Sequence, residues 1–261
     1  MQNTIDLHIH SKCSDGVLSP NEIMQLSKIK NWSYFSITDH NTIEAYIPIY
    51  ENNQKLISGV EMSVKFNGVY FHMLCYNFSQ RYFDEINNYL SALKKKKIKV
   101  VMSVLKEIRN ENIDISISEI LKTNLVLEEI KKLFFSNNLN DTFYKIFNER
   151  FIKEHDYYIP DVKEVIELFH KFEGICILAH PRRISKKNEE VFAFIRELVN
   201  CGIDGIECYH PCNGFNLTTE LVNFAKANNL YISGGSDLHS NDTYFNIYED
   251  EVDRLIETFN V

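Results

Sequence analysis

The sequence predicts an α/β fold in which strands and helices alternate, interrupted by an all-helical insertion. Three observations predict it. Short apolar runs of strand length recur between stretches of helical periodicity. Seven of these runs are followed by polar groups at their C-terminal ends, as when the parallel strands of a barrel share one active face. Between residues 83 and 153 the strand-like runs stop and helical spacing takes over.

The first strand covers residues 5–8 and runs into His8-Ile9-His10, with Asp15 following in a Ser/Gly turn. Two histidines one residue apart on an extended segment point to the same side. Ser19-Pro20-Asn21-Glu22 then reads as a helix start, with Ser19 as N-cap, proline at the first position and Glu22 closing a capping box. The second strand, 34–38, ends in Asp39-His40; the third, 55–60, ends in Glu61; the fourth, 69–76, carries His72.

Helices follow through Ile86, Leu90 and Leu93, through Val101, Val104 and Ile108, and at 118–135 and 141–153. The alternation resumes with Asp161 as a helix cap. A strand at 174–179 leads to His180-Pro181, one at 204–209 to His210-Pro211, and one at 230–235 to Ser236-Asp237-Leu238-His239. The organisation expected is a barrel domain of residues 1–80 and 155–261 with a lid-like helical insertion at 81–154.

A chain of 261 residues is long enough for one such domain plus an insertion. Its net charge of −8 argues against broad binding to duplex nucleic acid. An anionic substrate stays open, because bound divalent cations reverse the local field. No apolar run is long enough to span a membrane, and residues 1–4 lead directly into the first strand without room for a signal peptide, so a cytoplasmic protein is expected. The six cysteines form no CxxC pair, and several lie in apolar strand runs, as reduced core cysteines do.

Collected in order, the candidate metal ligands are His8, His10, Asp15, His40, Glu61, His72, His180, Asp237 and His239. Six imidazoles and three carboxylates are too many for one ion and suit two or three divalent cations of manganese, iron or zinc, with Glu61 as a natural bridge. No cysteine is among them, which favours catalysis over a closed structural zinc site. Clustered cations would lower the pKa of a bridging water and clamp phosphoryl oxygens. Arg182 and Arg183 follow His180-Pro181 where a guanidinium could grip a phosphate, Arg182 being the preferred contact. His210 could ligate, contact phosphate or protonate a leaving oxygen. Asp39 and Glu207 are candidates to orient ligands, whereas His155 and His170 lie off the motif face and read as structural.

The ordered motifs around His8-Ile9-His10, Asp39-His40, Gly59-Val60-Glu61, His72, Ala179-His180-Pro181 and Ser236-Asp237-Leu238-His239 resemble the polymerase and histidinol phosphatase (PHP) superfamily of metal-dependent phosphoesterases, over the whole chain. The resemblance implies a distorted (β/α)7 TIM-like barrel. It places a first metal on His8, His10, Glu61 and Asp237, a second on Glu61, His72 and His180, and a third on Asp15, His40 and His239. Asp15, the spacing of Glu61 and His72, and the insertion resemble the stand-alone branch of nucleotide phosphatases and 5′→3′ exoribonucleases (the ribonuclease AM group).

The implied substrate is a small phosphorylated molecule, a nucleotide or short RNA or DNA. The residues at 123–128 lack the Arg and His that this branch carries at the start of its insertion helix. Two other readings rank lower: a histidinol-phosphate-type phosphomonoesterase, and a non-catalytic metal-stabilised module, which would be expected to have lost ligands.

Overall fold

A computed structural model of the chain describes residues 3–49, 55–108, 133–141, 144, 159–240 and 245–259. His155, the 123–128 stretch and most of the expected helices at 118–135 and 141–153 lie outside the described residues. The chain divides into two compact units, Met1–Phe83 with Asp161–Val261, and Asp84–Pro160.

The first unit is built on two sheets. Their strands are β1 (Thr4–Ile9), β2 (Trp32–Ile37), β3 (Leu56–Ile57), β4 (Gly59–Phe66), β5 (Val69–Tyr76), β6 (Ile175–Leu178), β7 (Gly205–Tyr209), β8 (Tyr231–Gly234) and β9 (Ile247–Tyr248). One sheet has the order β3-β2-β1-β9 and the other β4-β5-β6-β7-β8.

The fold is mixed α/β, and the strands do not close into a parallel barrel. Two features prevent it. β4 pairs antiparallel with β5, and β5 antiparallel with β6. In addition β9 pairs antiparallel with the start of β1, so the chain after β8 reaches β1 only at its far end, through the Ile9–Leu238 bridge. The sequence carried a signal for the first feature. Asn67-Gly68 separates two apolar runs, and both residues have positive φ, 49° and 78°, as a two-residue hairpin turn requires.

The chain passes from one sheet to the other between Ile57 and Gly59. A Cβ on Gly59 would lie 2.2 Å from the Ser36 hydroxyl and 2.9 Å from Thr38, so only glycine lets the strand cross this close to the end of β2. Tyr46 anchors the same crossing. Its buried hydroxyl lies 2.7 Å from the Ile37 carbonyl and 2.9 Å from that of Ile57, and accepts the Ile37 N–H at 3.1 Å. Tyr46→Phe strands these buried backbone groups without adding space and should destabilise the protein by about 2–3 kcal/mol; an unchanged denaturation midpoint would refute this.

Ile5, Leu7, Leu74, Tyr76, Ile177 and Ala179 meet between the sheets, with Val252, Leu255 and Ile256 of the C-terminal segment packed against them. Helices α1 (Pro20–Lys30), α3 (Val162–Lys171), α4 (Asn188–Asn200) and α5 (Gly214–Ala227) flank the strands, and α6 (Asp253–Ile256) follows β9. α1 starts as expected: Ser19 accepts the Glu22 N–H, while Glu22 accepts the Ser19 N–H at 2.7 Å. Asp161 caps α3, whose Val162, Val165, Ile166 and Phe169 are buried at helical spacing.

In the second unit, α2 (Phe83–Ile108) carries Asp84 and Glu85 in its first turn, where the helix dipole favours acids, and buries Ile86 and Leu90. Among the described residues, no helix is long and apolar enough to cross a membrane.

Candidate metal centre

The nine ligands proposed from sequence converge around Glu61. Its Oε1 lies 2.9 Å from both His72 Nδ1 and His180 Nε2. Its Oε2 lies 2.9 Å from His40 Nδ1, 3.2 Å from His10 Nε2 and 3.4 Å from His8 Nε2. Asp237 Oδ1 sits 3.2 Å from His10 Nε2 and 3.5 Å from His8 Nε2. On the other side, Asp15 is 3.3–3.6 Å from His10, His40 and His239.

Glu61 and His72 are not at strand ends. They lie within the antiparallel β4 and β5, where residues 61 and 72 are offset by two positions in the ladder. An antiparallel ladder brings both onto one face through its register, whereas His8 lies in β1 and the remaining ligands follow strands that have a parallel neighbour.

Three donor sets can each surround one cation: His8, His10 and Glu61; His40, Glu61 and His72; and His10, Asp15, His40 and His239. Compared with the grouping implied by resemblance, His10 also faces the Asp15 set and His40 also faces the His72 set. His8, Asp237 and His210 form a further group, so His210 belongs to the cluster.

The chemistry of the donors fits cations. Glu61 Oε2 and His40 Nδ1 are buried and 2.9 Å apart, yet they form no hydrogen bond with each other or with any other group. Buried polar atoms held this close with no hydrogen bond between them suit a positive ion.

The electrostatics of the protein alone point the same way. Burial opposes charge on His8, but Glu207, Glu61 and Asp237 outweigh it and raise His8 well above the ordinary imidazole range. Burial likewise opposes charge on His10, yet Asp237 and Glu61 bring it up to about 10. Burial pushes His180 down to about 4. Glu61 resists burial and is held well below the carboxylate range by His40, His72 and His8. The carboxylates demand positive charge, which imidazolium protons or metal ions can supply.

Buried outer residues hold the ligands in place. Glu207 Oε1 accepts from His8 Nδ1 at 2.8 Å, leaving Nε2 free to face the cluster, and its Oε2 accepts the His180 N–H at 2.6 Å. Asp39 does not touch His40. It takes the Ser11 N–H and hydroxyl at 2.7 and 2.6 Å and the Ser14 hydroxyl at 2.5 Å, fixing the turn that carries Asp15.

Asp6, not singled out from sequence, does the same for the Asp237 loop. It accepts the Ser236 N–H at 2.9 Å and the Ser236 hydroxyl at 2.6 Å. A carboxylate inside an apolar strand run was the available signal. His180 and Asp237 themselves adopt left-handed backbone, φ 27° and 55°, a strain typical of sites where the surroundings dictate the geometry.

The arginine expectation is corrected. The Arg182 guanidinium donates to the Ser185 and Lys186 carbonyls and to Asn188 Oδ1, at 3.3, 2.6 and 2.5 Å. It ties the loop to the start of α4. Arg183 is the one that reaches the cluster, 2.6 Å from Asp237 Oδ2 and half exposed. The tight turn over Pro181–Arg183 decides which side chain faces the ligands, and sequence spacing could not give it. His210 accepts the Cys212 N–H on Nδ1 at 3.1 Å, so its proton sits on Nε2, 3.4 Å from Asp237 Oδ2.

Comparison with known proteins gives the family. The family model described as PHP domain matches residues 6–208. A 5′-3′ exoribonuclease of Haemophilus influenzae is 27% identical over 253 residues, covering 92% of this chain and 91% of the relative. A phosphoribosyl 1,2-cyclic phosphate 1,2-diphosphodiesterase of Eggerthella lenta is 20% identical, covering 90% and 93%.

Among solved structures, a Bifidobacterium adolescentis protein classed with the metal-dependent phosphoesterases superposes with a TM-score of 0.71 at 21% identity, covering 98% of this chain and 96% of that one. An amidohydrolase from Chromobacterium violaceum gives 0.74 at 16%, with the same coverage. These two likenesses speak to the fold. With the family model spanning most of the sequence and the histidine–carboxylate clusters it organises, this chain belongs to the PHP domain family of metal-dependent phosphoesterases.

Proposed function

We propose that this hydrolase cleaves phosphate esters of small substrates, nucleotides or short oligonucleotides, using two or three divalent cations held by His8, His10, Asp15, His40, Glu61, His72, His180, Asp237 and His239. The observation that carries this reading is Glu61, buried and touching five imidazoles with one oxygen left without a hydrogen bond. Divalent cations bound there would activate a water and neutralise charge on the phosphoryl oxygens. The exoribonuclease activity named for one relative supports a nucleotide or oligonucleotide substrate, and the cyclic-phosphate diesterase activity named for another supports phosphate-ester hydrolysis. Six free thiols fit a reducing, cytoplasmic setting.

The chain's own residues supply the rest. Arg183, at the rim of the cluster, binds a phosphate oxygen by exchanging its contact with Asp237. His210, with its proton on Nε2, donates that proton to the leaving oxygen. Glu207 keeps His8 in the tautomer that presents Nε2.

A hydrolysis screen over nucleotides, short oligonucleotides and sugar phosphates, reading both inorganic phosphate and freed nucleotides, with manganese, iron or zinc supplied, tests the proposal. Release from a nucleotide or oligonucleotide is expected. Release from sugar phosphates alone, or from none of these, would overturn it.

The two arginines should separate cleanly. Arg183→Ala is expected to raise KM roughly 10-fold or more while leaving thermal stability unchanged. Arg182→Ala should lower the melting temperature and leave KM near the parent value. The opposite pattern would return the phosphate contact to Arg182.

A further inference from the structure

A second group of metal donors lies away from the cluster. His170 in the last turn of α3, Cys176 in β6 and Asp204 just before β7 each offer one ligand atom, all within 4.8 Å of one another. We propose that these three residues form a separate site for a zinc-class divalent cation, at the end of the sheet opposite the catalytic cluster.

The topology keeps the two sites apart. Cys176 stands near the start of β6, whereas His180 follows its end. Four residues of strand span about 13 Å. Ile175, Ile177 and Ala179 pack with the core between the sheets, so alternation turns Cys176 to the other face, towards the helical layer. The sequence reading took His170 as structural and the cysteines as inert core. Neither expectation anticipated that the fold would bring them together with an acid.

The donors are preset. Asp204 Oδ2 accepts the Cys176 N–H at 2.7 Å, and the Asp204 N–H is held by the Cys176 carbonyl at 2.9 Å, so thiol and carboxylate are fixed on adjoining strands. His170 Nε2 lies 2.7 Å from the same carboxylate oxygen. An imidazole–carboxylate pair at the surface needs no thiol beside it, and a thiolate, an imidazole and a carboxylate together are donors that zinc accepts.

His170 is 41% exposed and Asp204 27%, which gives an ion a way in and leaves a position for water. Cys75 lies directly across from Cys176 on β5. Its side chain is buried on the same face of the sheet, where an S–H can donate to a Cys176 thiolate and support it as a ligand.

Cobalt(II) added to the full-length protein distinguishes the sites, because only a sulfur ligand gives the near-ultraviolet thiolate-to-cobalt charge-transfer band, and the catalytic donor set contains no sulfur. The band is expected in the parent protein. It should vanish in Cys176→Ser and in His170→Ala, with one fewer cobalt bound per chain, while the visible bands of cobalt in the catalytic cluster persist. Cys13→Ser and Cys212→Ser, which remove thiols two residues from Asp15 and His210, should leave the band intact. His170→Ala changes a partly exposed side chain and serves if Cys176→Ser does not fold. Absence of the band in cobalt-saturated parent protein, or its survival in Cys176→Ser or His170→Ala, would overturn the proposal.

Discussion

Replacing Glu61 with glutamine is expected to lower phosphate release on the order of 10³-fold and to strip most of the bound metal. No other side chain is so central. Its two oxygens lie within 3.4 Å of nitrogens from His8, His10, His40, His72 and His180, so it touches donors of more than one set. Glutamine keeps the shape but replaces one oxygen by an amide that can only donate, pointing protons where lone pairs should face a cation.

The metal-free protein should also respond. Glu61 is held well below its ordinary pKa because its imidazole neighbours outweigh burial. Its charge therefore supports the fold above the usual carboxylate range, and that support fades as pH falls through the lowered value. Glutamine removes this dependence. Elemental analysis together with the phosphate assay decides the matter: a Glu61→Gln protein with full metal content and parental turnover would remove Glu61 from the centre of the site.

Gly235→Ala should be as damaging, by a different route. A Cβ at this position would lie 2.1 Å from His8 Cβ and 2.5 Å from the His8 backbone nitrogen. No rotamer relieves a collision with backbone, so β1 and the segment after β8 must separate. That parts the hydrogen bonds His10 N–H to Leu238 O, at 2.9 Å, and Leu238 N–H to His8 O, at 3.3 Å, which seat the His8, His10, Asp237 and His239 ligands beside one another. The loss should reach roughly 3 kcal/mol or more, seen as a large drop in melting temperature or as insoluble protein. A soluble variant with the parental melting temperature would show that the two segments tolerate separation.

The candidate ligands stood out because most occupy a short motif of unusual composition at a point where an apolar run breaks off, and imidazoles and acids recurring at such points have few uses other than metal. His8, His10, His180, Asp237 and His239 could be read this way. Glu61 and His72 were placed at the ends of parallel strands rather than on a hairpin, because one strand direction was expected throughout and Asn67-Gly68 was not weighed. The open arrangement of the strands was hidden for a related reason. β9 is two residues long, too short to leave a periodicity, yet it occupies the edge of β1 that a closed ring would need.

The roles of Asp6, Asp39 and Glu207 depend on contacts between residues 25 to 230 positions apart in the chain, which spacing does not reveal. Sequence position favoured Arg182 over Arg183, but adjacent residues in a tight turn point in different directions, which position alone does not resolve.

The placing of Glu61 and His72 on a hairpin has a consequence for how such an enzyme changes over time. Their separation is locked by ladder hydrogen bonds and cannot drift without unzipping β4 from β5. Asp15, Arg183, His210 and His239 ride on connections that can lengthen, shorten or be exchanged. The molecule thus joins a fixed anvil to replaceable jaws: descendants can acquire new substrates by rewriting the connections, while the hairpin keeps the hydrolytic chemistry in register.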